Sequence, residues 1–154
     1  MTPHLTAAML RGLDACSDQV AIFAAAFPDG VTMPTEDSEI AALAASVAPL
    51  RLDADWAAAV LLSPAASRAY AESRAAALRA YAADYAEDCA PARLAYAEAC
   101  AAASRAEAAA VASRAYAEAA AVASRAYDEA TATALLRAGR DHGWTDFTTT
   151  ANKE

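Results

Sequence analysis

Glycine and proline are scarce in this chain, at 4 and 6 of 154 residues, and the only histidines are His4 and His142. The four glycines stand singly at positions 12, 30, 139 and 143, so neither of the Gly-rich loops that cradle phosphates, GxxxxGK[ST] or GxGxxG, is present. With two histidines near opposite ends and Cys16, Cys89 and Cys100 at spacings that match no zinc pattern, no metal or cofactor is expected. No nucleophile stands beside a recognisable base, so a non-enzymatic protein is expected. The longest uncharged stretch is about a dozen residues, short of the ~18 that a spanning helix needs, and no membrane segment is expected. Pro3, His4 and Arg11 interrupt any apolar leader, and the cysteine count is odd; both fit a reducing cytoplasm.

Lysine is nearly absent too, with Lys153 the sole one, so the cations are arginines in a chain of net charge −8. The excess acid is unevenly spread. Met1 to Leu62 carries 8 acids against Arg11 and Arg51, whereas Ser63 to Ala138 carries 9 against 8 arginines. An acidic amino-terminal surface repels phosphate backbones, which disfavours direct nucleic-acid binding and favours a protein partner with a basic surface. The acids cluster as Glu36, Asp37 and Glu39 and as Asp53 and Asp55, each group at an expected helix start. There they complement the helix dipole, and they are also the candidate residues for a basic partner.

What the chain has in abundance is alanine, 35 of the 76 positions from Ser63 to Ala138. Alanine has the best helix propensity, so the expected fold class is all-α. Three segments are expected: an acidic cluster of short helices over 1–62, Ala-rich helices over 63–138, and a polar tail over 139–154. In the first, Thr2-Pro3 reads as the start of a helix to Gly12, Pro28-Asp29-Gly30 as a turn, and Thr35 and Asp53 as caps. Ser63-Pro64 has the cap and first-turn chemistry of a new helix.

That helix repeats an eleven-residue phrase, clearest as SRAYAEAAAVA (Ser113 to Ala123) followed by SRAYDEATATA (Ser124 to Ala134). Eleven residues are three turns at about 3.67 per turn, so a stripe repeated at this interval stays on one side of a long, nearly straight helix. Two blocks break the phase: a 15-residue block containing Ala90-Pro91 and a 9-residue block from Ser104 to Ala112. A break or kink is expected at Ala90-Pro91 because an interior proline removes a backbone hydrogen bond. The short block reverses the Tyr face or breaks the helix.

The wide alanine arc lets helices approach closely, with Tyr70, Tyr81, Tyr96, Tyr116 and Tyr127 covering the seam. The helices form either a hairpin or a coiled-coil-like bundle, and a continuous helix from Pro91 to Ala138 would be about 72 Å long, too long for a compact monomer. Self-association, most simply as a homodimer through these tyrosines, is therefore expected. In the tail, Trp144 and Phe147 have the spacing of an anchor, either for a partner's groove or for the protein's own core.

Two stretches, LDACSDQVAIFAAAFPDG (Leu13 to Gly30) and the AYxEA repeats from Ala69 onward, resemble uncharacterised alanine-rich repeat proteins of phages and prophages. The resemblance implies a mobile-element accessory protein that acts by binding, for example an inhibitor of host defence such as an anti-CRISPR. It carries no site residue over to this chain.

Overall fold

The structure, a computed structural model, describes residues 3–101 and 106–145, with side chains described for 3–98 and 110–145. The chain is all-α apart from one minimal β pair. In order it forms β1 (His4–Leu5), α1 (Ala7–Gly12), α2 (Ser17–Ala26), β2 (Val31–Thr32), α3 (Asp37–Val47), a 3-10 turn (Ala48–Leu50), α4 (Ala54–Leu61), α5 (Pro64–Ala101) and α6 (Ala106–His142).

Local chemistry explains most boundaries. Thr6 caps α1, its hydroxyl accepting from the Met9 amide, and Asp53 caps α4 by accepting from the Trp56 amide. The cap of α3 is Glu36 and not the expected Thr35: Glu36 and Glu39 form a reciprocal capping box, and the Thr35 amide donates to Glu39. The Ser63 hydroxyl accepts from the Ala66 amide at 3.2 Å and starts α5. The expected helix from Thr2-Pro3 is corrected: His4 and Leu5 are extended and pair antiparallel with Thr32 and Val31, and the helix begins only at Ala7. The hairpin-like return needs Gly30, whose φ is +79° and whose missing Cβ would lie 2.5 Å from the Leu5 carbonyl oxygen.

The break expected at Ala90-Pro91 is also corrected, since α5 runs unbroken through Pro91 to Ala101. Pro91 and Glu87 are both exposed, so the Glu87 carbonyl that loses its amide partner can be hydrated. The next described helix, α6, begins at Ala106, inside the short block Ser104 to Ala112.

The chain divides into two compact units, one of residues 1–74 with 128–154 and the other of residues 75–127. These cut across the segments expected from composition because α5 and α6 each contribute to both units. In the first unit, α6 is lined by core on two sides. Ala132 and Leu136 join Leu10, Val20, Phe23, Ile40 and Leu61 in one apolar cluster, while Ala134 and Ala138 join Ala58, Leu62, Ala66 and Tyr70 in another. Most of the large side chains come from outside α5 and α6, which contribute mainly alanines besides Tyr70 and Leu136. An alanine surface thus admits bulky neighbours to close packing.

The second unit is a helical hairpin. Tyr81 stacks with Tyr127 and Tyr85 meets Tyr116, so the partner falls in number as α5 advances and the two helices run antiparallel. The covered positions of α5 here are Ala77, Tyr81, Tyr85, Cys89 and Ala92, at steps of four and three that keep one face inward.

Candidate functional site

The five acids expected to meet a partner all have partners within the chain. Glu39 accepts from the Thr35 and Glu36 amides at 2.9 and 3.2 Å, and these bonds hold its carboxyl below the ordinary carboxylate range. Asp37 accepts from Arg140 Nη1 at 2.7 Å and lies 3.7 Å from Arg137 Nε. Arg140 also donates to Asp141. This bond first, and the one to Asp37 second, keep the guanidinium protonated well above its ordinary value. The same Arg140 bond lowers the Asp141 carboxyl. Asp53 is a cap, and Asp55 accepts from the Tyr70 hydroxyl at 3.0 Å and pairs with Arg74 at 2.9 Å.

The cluster is therefore a set of joints within the first unit. It nevertheless remains on the surface, the Asp37 side chain keeping 70% of its area exposed and that of Asp55 57%. Sequence spacing reveals the caps but not the pairing of Asp37 with Arg140, 103 residues away.

Of the tyrosines expected at a seam between chains, Tyr81, Tyr116 and Tyr127 make ring contacts inside this chain. Tyr70 is buried in the first unit, and Tyr81, Tyr85, Tyr116 and Tyr127 line the hairpin. The Tyr85 and Tyr116 hydroxyls hydrogen-bond to one another, which first, with desolvation second, pushes the Tyr85 phenol up to about 12. Tyr96 is 43% exposed. Tyr85, which the sequence reading passed over, has the same four-residue relation to Tyr81 that a helix face requires.

Of the cysteines, Cys89 is buried in the hairpin and Cys16 is exposed, both as free thiols, and the Cys100 side chain lies outside the described residues. His4 has each ring nitrogen 3.0 Å from a partner. Nε2 donates to the Asp29 carbonyl and Nδ1 accepts from the Thr32 hydroxyl, so the ring staples the turn after α2. Among the described residues no three His, Cys, Asp or Glu side chains converge to hold a metal ion, and no helix is long and apolar enough to cross a membrane.

Trp144 docks on its own core. Its backbone bridges to Leu62, the Thr145 amide donates to the Leu61 carbonyl at 2.8 Å, and the Ser63 amide donates to the Gly143 carbonyl at 3.0 Å. The ring packs against both apolar clusters. Phe147 lies outside the described residues.

Among the described residues the exposed large apolar side chains are Leu78, Leu94, Tyr96, Val111 and Val122, all in the hairpin, and Ile22 in the first unit. Val111 and Val122 lie five and six residues from Tyr116, which puts them about 120–140° round α6 from the Tyr seam. Sequence phase alone would have revealed them, since the valine recurs at the same place in two successive repeats.

Comparison of the chain with protein-family models, with curated proteins and with solved structures finds no match.

Proposed function

We propose that this protein is a non-enzymatic helical interaction module in which the first unit is a scaffold and the hairpin is the binding limb, through which the chain self-associates. The observation that carries this is the concentration of exposed large apolar side chains on the hairpin: among the described residues, five of the six belong to it. The first unit, by contrast, spends its large apolar residues on its two clusters. Exposed apolar groups gathered on one limb mark a contact surface, whereas single ones scattered over a surface do not.

The tyrosine seam is satisfied within the chain, so self-association has to use the outer sides of the hairpin helices. Light scattering at micromolar concentration tests it: a dimer mass is expected, and a monomer mass at every concentration sinks the self-association. Replacing Leu94, Val111 and Val122 by serine together is expected to weaken the association while leaving the helical circular-dichroism signal in place.

A second reading, a phage-encoded inhibitor of host defence such as an anti-CRISPR acting in the bacterial cytoplasm, draws on the net charge of −8 and on the exposure that Asp37 and Asp55 retain beside their arginines. Its partner would be a basic protein surface, reached without direct contact to nucleic acid or membrane. Salt-sensitive binding to a host nucleoprotein complex is expected. Binding unchanged by Asp37→Asn and Asp55→Asn together would count against these acids as the site.

A further inference from the structure

The outer face of α6 carries a pattern that no other described residue covers. Val111, Arg114, Glu118, Val122 and Arg125 are all exposed, and at about 100° per residue they fall within an arc of about 80° on the side away from Tyr116. The valines are 54% and 55% exposed, and no ion pair joins Arg114 or Glu118 to another described residue. In a helix whose default residue is alanine, a solvent-facing valine costs helix stability and returns no core contact. Its recurrence at an interval of eleven residues places both valines on one straight line along the helix, since that interval drifts by only about 20°.

This line is self-complementary in one direction only. A two-fold axis crossing α6 level with Tyr116 brings the helix against its own copy running the opposite way. That register sets Val111 opposite the second copy's Val122 and brings Arg114 within one residue, about 1.5 Å along the axis, of facing its Glu118, inside the reach of both side chains; the symmetry repeats both pairings. Parallel pairing would instead set Arg114 against Arg114 and Glu118 against Glu118, and opposed like charges are costly. A second copy thus satisfies the apolar positions and the charges together.

We propose that α6 pairs antiparallel with α6 of a second copy in this register, a proposal that rests on the self-association reading above and specifies its face and direction. From Val111 to Val122 the paired line is only about 16 Å long, so the interface falls below the ~1,200 Å² of stable complexes and the dimer is weak and concentration-dependent.

Sedimentation velocity over a concentration series tests it on the full-length chain, with circular dichroism to verify that each variant keeps its helices. The wild type is expected to shift toward dimer as concentration rises. Arg114→Glu alone and Glu118→Arg alone each create two like-charge pairs per dimer and are expected to weaken association by about tenfold or more. The double variant R114E/E118R restores complementarity and is expected to associate as the wild type does. Mixing the two single variants is expected to yield a heterodimer that neither forms with itself, which a folding defect could not produce. Self-association that ignores both charge reversals overturns this register and leaves the broader reading standing. A wild type that stays monomeric throughout overturns both.

Discussion

Trp144 occupies the space that a side chain at residue 139 would need. An added Cβ on Gly139 would overlap three atoms of the indole ring, so the glycine near the end of α6 exists to admit the tryptophan. The half-buried ring packs against both apolar clusters, which restrict how it can shift.

Gly139→Ala is therefore expected to destabilise the fold. Overpacking costs about 1–3 kcal/mol, while the helix-propensity gain of alanine over glycine returns about 1 kcal/mol. The clash involves a rigid ring, and the net sign is a loss. Urea denaturation of Gly139→Ala, Trp144→Ala and the double variant checks it: the alanine at 139 should cost less once the tryptophan is gone.

Pro91→Ala should stabilise. The proline sits inside α5, exposed, with no core contact to lose, and interior proline is about 3 kcal/mol less favourable than alanine in a helix. The thermal melting midpoint is the readout, and an unchanged or lowered midpoint would mean that Pro91 has a structural role.

Thr131 is the buried polar side chain in the described core, and its hydroxyl has no hydrogen-bond partner. Thr131→Val keeps the shape and removes the unpaired group, so a gain of about 1 kcal/mol is expected in the urea midpoint extrapolation.

The Tyr85 and Tyr116 pair predicts an alkaline transition. The phenol of Tyr85 is raised from 10.0 to about 12 by its hydrogen bond to Tyr116, so folding favours the neutral form. Its contribution to stability is fully present below pH 10 and is lost as the pH rises through about 12. Absorbance titration of tyrosinate should show a late-titrating group that Tyr85→Phe abolishes, and the variant should lose less stability across that window than the wild type.

How much of this was legible beforehand follows from the kind of signal each residue carries. Asp53, Ser63 and the Glu36/Glu39 pair act on backbone groups three residues away, so helix starts near Ala54, Pro64 and Asp37 could be read locally. The continuity of α5 through Pro91 could not, because it depends on a neighbouring helix covering Cys89 and Ala92 while Pro91 faces outward. Neither could β1, whose pairing with β2 depends on the turn at Gly30 returning the chain to Leu5.

Helicity, the stripe at an eleven-residue interval along the long helices and the gathering of acids at helix starts all follow from local propensity and period. What those stripes and acids meet follows from the packing of the folded chain. A repeated apolar stripe requires a covering surface but is indifferent to whether that surface is another chain or its own. The antiparallel return of α6 along α5 gave the tyrosines to the hairpin seam, and the C-terminal end of α6 brought Arg140 to Asp37. Long-range pairing of this kind depends on the energy of the whole packed arrangement, which no local period encodes.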